Sequence, residues 1–259
     1  MDIILFLQIA VFFFGLIVGS FLNVCIYRLP REKSIVHPGS ACTECGEPIR
    51  WYDNIPLVSF AMLRGKCRGC KAPISWRYPI VELVTGLICA GLFYLYGPSI
   101  RFAVYFLLSA SLIVVTMIDI DFQIIPNGIS IPGIPIGFAL SFLNPDISWQ
   151  QSAQGILFGG GFLALVALGY YLWTKEEGMG MGDVKLLAMI GAFLGVGGVF
   201  FTIIFGSIVG SIVGLFMLMG DRGGRKMKIP FGPFLSLGAV CFVFFGKTVM
   251  EMYLGMFLP

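Results

Sequence analysis

Two aspartates stand at the edges of long apolar runs. Asp119 closes the run 107–118 and opens the polar stretch 119–127, which also holds Asp121 and Asn127. Asp183 closes a glycine-rich turn containing Gly178, Gly180 and Gly182, and begins the next apolar run. Ionisable groups in or beside a membrane are costly and are found where function needs them. Two carboxylates brought together in a low-dielectric site share a proton. The ionised one activates water and the protonated one polarises a carbonyl, which is peptide hydrolysis by general acid and base. The glycines would let backbone approach backbone or substrate, so Gly180 and Gly182 support the pair, together with Lys185. Residue types alone leave a plainer reading open: Asp183 as the N-cap of a helix starting at Val184, and Asp119 and Asp121 as solvated loop residues.

A second constellation is a repeat. Residues 42–51 (CTECGEPIRW) recur as 67–76 (CRGCKAPISW). Each copy can point two thiolates at one metal, and Cys42, Cys45, Cys67 and Cys70 together give the tetrahedral all-sulfur coordination suited to structural zinc. A segment of this size cannot easily build a core alone, so a metal staple is useful to it. Redox chemistry or inert thiols are the rival readings, and a cytoplasmic setting disfavours disulfides. A closed four-cysteine site has no open position for water and is not expected to be catalytic. Cys25, Cys89 and Cys241 lie in apolar runs and read as buried or lipid-facing thiols.

Other chemistry is excluded or weak. His37 is the sole histidine, so an HExxH metallopeptidase is ruled out. No dinucleotide-binding glycine fingerprint follows a strand pattern, and no phosphate-binding Walker loop appears. Glu82, just inside an apolar run, is placed to pair with Arg77. Lys247 is placed to snorkel or to pair with Glu251 one helical turn on.

The elements that must carry these residues are membrane helices. The chain is 58% hydrophobic and 12% charged, against about 45–50% and about 25% for soluble domains, so lipid must solvate much of it. Apolar runs at 3–26, 79–96, 102–118, 128–143, 153–173, 184–197, 199–219 and 231–256 predict an all-α membrane protein with about eight transmembrane helices. The turn beginning at Gly195 divides one long run into two. The N-terminal run lacks a basic flank and a small-residue cleavage site, which predicts a retained helix.

Of the 17 lysines and arginines, nine lie between Arg28 and Arg77 and four between Arg222 and Lys228. Clusters between apolar runs read as cytoplasmic loops rather than as a nucleic-acid surface. That choice puts 28–78 and 220–230 inside, both termini outside, and Asp119 and Asp183 together at the cytoplasmic edge. The expected organisation is a first transmembrane helix (1–27), a small cytoplasmic zinc module (28–78) and a transmembrane peptidase domain (79–259).

These residues resemble the bacterial type IV prepilin leader peptidases, which are also N-methyltransferases and belong to the GxGD group of membrane aspartic peptidases. The resemblance covers nearly the whole chain. It is carried by 19–30 (GSFLNVCIYRLP), the paired cysteine module, 51–56 (WYDNIP), 77–82 (RYPIVE), Ile118 with Asp119, 180–185 (GMGDVK) and 230–233 (PFGP). Thr43 stands where proline is frequent. The resemblance implies that Asp119 and Asp183 are the catalytic pair, with Asp121 and Asn127 as neighbours in the loop after the span.

The resemblance further implies an enzyme of the bacterial inner membrane. Its substrates would be type IV prepilins or pseudopilins, cut at the cytoplasmic face after a glycine, and the new N-terminus would be methylated from S-adenosylmethionine. Spacing alone does not place that cofactor's site. The competing classes are a proton-coupled transporter, which needs carboxylates near the bilayer midplane and matching broken helices, and a structural component of a secretion assembly that uses the cysteine module for docking.

Overall fold

The computed structural model describes residues 3–175, 180–220 and 229–257. The basic cluster 222–228 and Gly178 lie outside the described residues, as do the side chains of Lys247 and Glu251. The described residues form helices and no strand: α1 Ile3–Arg28, α2 Val58–Met62, α3 Arg77–Tyr96, α4 Ile100–Phe122, α5 Asn127–Ser141, α6 Trp149–Thr174, α7 Met181–Gly220 and α8 Gly232–Phe257. Helices thus occupy all eight expected apolar runs, with two of the runs inside α7. Five helical segments among the described residues are long and apolar enough to cross a membrane: Ile3–Arg31, Arg77–Tyr96, Ile100–Phe122, Trp149–Thr174 and Met181–Met217. Their outer faces expose large apolar side chains such as Phe13, Ile17, Leu157 and Leu165. So much exposed hydrocarbon suits lipid and not water.

The chain divides into two compact units, and α4 contributes to both. The first comprises residues 1–102 and 109–114. In it α1 and α3 pack closely because small residues face each other. A Cβ on Gly15 would lie 2.6 Å from the Cβ of Cys89, and one on Gly19 would lie 2.7 Å from the Cα of Glu82. Contact of this kind is how apolar helices gain packing energy where lipid removes the hydrophobic drive.

The cysteine repeat lies between α1 and α3 in the chain, and its two copies share one backbone pattern at an offset of 25 residues. Cys42 N–H donates to the Glu47 carbonyl (2.9 Å) and Cys67 N–H to that of Ala72 (2.8 Å). Ile49 N–H donates to Ser40 (2.8 Å) and Ile74 N–H to Gly65 (2.7 Å). Single antiparallel bridges, Ala41 with Pro48 and Lys66 with Pro73, close each knuckle. Arg68, in the second copy, makes two hydrogen bonds to the carboxylate of Asp53, two residues beyond the first copy (2.6 and 2.8 Å).

The second unit comprises residues 103–108 and 115–259. Its α7 is interrupted at Gly195, whose φ of 67° and ψ of −171° are not helical. The chain reverses there: a Cβ on Gly191 would lie 3.0 Å from Val199 Cγ2, whereas eight residues of straight helix would separate them by about 12 Å. The glycine turn read from sequence is therefore the hinge of a helical hairpin, at a φ that glycine adopts readily.

The first leg of α7 packs antiparallel to α6. Gly155 and Gly191 meet backbone to backbone, and the buried Ser152 hydroxyl donates to the Ala192 carbonyl at 2.7 Å. The same leg runs alongside α5, where Gly133 faces Met189 and Gly137 faces Phe193. The second leg runs antiparallel to α8, with Gly206 against Phe234 and Gly238 against Thr202. These pairings bring the starts of α5, α7 and α8 to one level.

Candidate active site

The site is built from those helix ends. Asp119 lies one turn before the end of α4 and is 5% exposed. Its backbone carbonyl accepts the Gln123 N–H (2.9 Å), and the chain then turns through residues 123–126 into α5. Asp183 is in the first turn of α7 and half-buried. Its N–H donates to the Gly180 carbonyl at 3.1 Å. The Asp119 and Asp183 carboxylates, far apart in the chain, are close enough to interact electrostatically.

Three further contacts hold this level together. Asp119 Oδ2 accepts the backbone N–H of Gly232, the first residue of α8, at 3.1 Å. Helix N-termini have amides without helical partners, and a carboxylate satisfies one while facing the positive end of the helix dipole. A Cβ at position 232 would lie 2.5 Å from that same oxygen, so the bond needs glycine. A Cβ on Gly182 would lie 3.0 Å from that of Ile125, so the turn after α4 is pressed against the start of α7. Lys185 Nζ donates to Asn127 Oδ1 at 3.0 Å, tying the start of α7 to the start of α5. Among the described residues, no heavy atom lies closer than 3.9 Å to where a Cβ on Gly180 would be.

Two expectations from sequence change here. Asp121 is not in a loop beyond the span: α4 continues to Phe122, and Asp121 occupies its exposed last turn. Asn127 is not a bystander, since it begins α5 and carries the lysine contact. Gly232 was visible within the PFGP stretch, but without a role. Pro233 beside it is the usable signal, because proline near a helix start marks amides free to bind a partner.

In the first unit, Cys42, Cys45, Cys67 and Cys70 form a cluster whose sulfurs all lie within 4.8 Å of one another. Zn–S bonds of about 2.3 Å in a tetrahedron put sulfurs about 3.8 Å apart, and Cys42 Sγ lies 3.9 Å from Cys70 Sγ. The donor set therefore fits a zinc ion. Backbone amides of Cys45 and Glu44 lower the Cys42 thiol to about 7. Cys70 moves up to about 11: the Ala72 amide lowers it, but burial and bonds to the other three thiols outweigh that amide. Glu82 accepts the Leu57 N–H at 2.9 Å and a bond from Ser20, in place of the expected Arg77.

These features are those of a helical membrane protein with two interacting aspartates at helix ends and a four-thiol cluster. Comparison with known proteins makes the class specific. Residues 13–96 match the family model described as the bacterial peptidase A24 N-terminal domain, and residues 106–215 match the type IV leader peptidase family. A protein of Myxococcus xanthus is 41% identical over 85% of this chain and 66% of its own length. One of Aeromonas hydrophila is 35% identical over 96% of this chain and 94% of its own. One of Pseudomonas aeruginosa is 36% identical over 93% and 91%. Each is named prepilin leader peptidase/N-methyltransferase. No solved structure matches the chain. The chain belongs to the type IV prepilin leader peptidase family.

Proposed function

We propose that the protein removes the short basic leader from type IV prepilins or pseudopilins at the cytoplasmic face of the bacterial inner membrane, using Asp119 and Asp183. The observation that supports this reading best is that Asp119, buried near the end of α4 and held by the Gly232 amide, and Asp183, in the first turn of α7, lie at helix ends within electrostatic reach of each other. One carboxylate takes a proton from water as its oxygen attacks the scissile carbonyl carbon. The other, protonated, donates to the carbonyl oxygen. When the tetrahedral carbon collapses, the C–N bond breaks and the departing amine takes a proton, leaving one new carboxyl and one new N-terminus.

The names of the relatives also support methylation of that N-terminus. S-adenosylmethionine supplies the methyl group: the amine lone pair forms the N–C bond, the C–S bond breaks with its electrons going to sulfur, and the ammonium loses a proton. In this reading the four cysteines hold structural zinc and take no part in hydrolysis.

Mass spectrometry of a prepilin co-expressed with the protein tests both reactions, as loss of the leader and a gain of one methyl. Sidedness has its own test. Reporters fused within 28–78 and after Lys228 should both read cytoplasmic, and a periplasmic reading at either would overturn the topology.

A further inference from the structure

The turn 123–126, between α4 and α5, is fixed at both ends. Gln123 leaves α4 at a φ of 54°, and its N–H stays on the Asp119 carbonyl at 2.9 Å. At the other end the Pro126 carbonyl accepts bonds of 3.1 Å from the Ile129 N–H, the Ser130 N–H and the Ser130 hydroxyl. Ser130 is fully buried, and the proline ring holds its own φ at −62°. A turn fixed in this way keeps its side chains in one place.

The half-buried side chain it brings to the site is Ile125. The Cβ, Cγ1 and Cδ1 of Ile125 lie 3.0, 3.4 and 3.4 Å from where a Cβ on Gly182 would be, and the same Cδ1 lies 3.4 Å from where a Cβ on Gly232 would be. Gly182 immediately precedes Asp183, and the Gly232 amide donates to Asp119. One side chain, from a third segment of the chain, therefore bears on the backbone beside both aspartates. Packing along the α7 hairpin brings the starts of α7 and α8 near each other, and Ile125 spans them at the site itself. Apolar contact resists displacement both ways. Overlap is repulsive, and a gap of about 0.5–1 Å forfeits a quarter to a half of the attraction.

We infer that Ile125 is a positioning residue for hydrolysis: wedged against Gly182 and Gly232, it sets the spacing of the Asp183 and Asp119 carboxylates. The inference rests on the two-aspartate reading and adds the part that fixes the geometry of the pair. Glycine at 182 and at 232 is what lets the isoleucine seat, since a Cβ at either position would press on it. Two carboxylates share a proton only when they are held close, and a misplacement of about 1 Å costs about a hundredfold in rate. Misplacement acts on the reacting step and not on substrate binding, so kcat should fall while KM holds.

Initial rates on a prepilin peptide over a range of concentrations test this, with the detergent-purified full chain and its Ile125→Val and Ile125→Ala variants. Valine keeps the branch that lies against Gly182 and loses only Cδ1. For Ile125→Val, kcat should fall about threefold to tenfold, and for Ile125→Ala about a hundredfold. In each, KM should stay within about twofold of native and thermal unfolding should change little. In a double-mutant cycle Ile125→Val and Gly232→Ala should lose less together than the product of their separate losses, because both displace the Asp119 carboxylate. An Ile125→Val protein with native kcat, a loss seen in KM alone, or losses in the cycle that multiply would overturn the inference. If Ile125→Ala fails to fold, the single-methyl variant decides by the same readings. Native cleavage that Asp119→Asn abolishes keeps the two-aspartate reading even where the Ile125 variants behave as native. A folded Asp119→Asn protein that still cleaves removes both.

Discussion

Asp119 and Gly232 are 113 residues apart and joined by one hydrogen bond: the amide that opens α8 donates to the carboxylate near the end of α4, at 3.1 Å. This contact determines which way the Asp119 carboxyl faces. It also makes position 232 unusually sensitive, because any side chain there collides with Oδ2. Gly232→Ala should therefore lower leader cleavage by about a hundredfold, the scale expected when a reacting group is misplaced by about 1 Å. Thermal unfolding in detergent should change little. Initial rates on a prepilin peptide check this, and a near-native rate would show that the Gly232 contact does not orient the aspartate.

The Lys185–Asn127 bond joins two helix starts beside the pair without touching either carboxylate. A net contribution of about 0.5–1.5 kcal/mol corresponds to about a twofold to tenfold change in rate. Lys185→Met and Asn127→Ala should each lower cleavage by that much. The double variant should be no worse than the poorer single one, because both remove the same contact. Additive losses in a double-mutant cycle would argue for separate roles.

For the four-thiol cluster, metal analysis under reducing conditions should find about one zinc per chain, lost in Cys42→Ser. Limited proteolysis should then cut within 28–78, since the segment depends on its metal. Chelation should leave hydrolysis by the aspartates running in protein whose second unit stays folded. Complete and immediate loss of cleavage on chelation would place the metal in the chemistry.

Much of this was legible in the sequence because the signals were local. Hydropathy located the helices, and the glycine turn at Gly195 announced the hairpin. The cysteine repeat announced a four-thiol cluster through its own spacing. What could not be read were contacts between distant segments. The Gly232 amide reaches Asp119 only after the α7 hairpin and α8 have packed, and Asn127 meets Lys185 only when α5 lies along the first leg of α7. Asp121 was misplaced because its charge suggested a loop, while α4 runs on to Phe122 with that side chain exposed.

The most direct test of the central claim is leader release by purified Asp119→Asn and Asp183→Asn, with Asp121→Asn as comparison, followed by mass spectrometry of a prepilin peptide. Asparagine keeps the shape of aspartate but cannot accept or donate the proton. Each of the first two variants should insert and fold normally and lose cleavage by about 10³-fold or more, while Asp121→Asn stays within a few-fold of native. A folded Asp119→Asn or Asp183→Asn protein that removes the leader at a near-native rate would contradict the two-aspartate account.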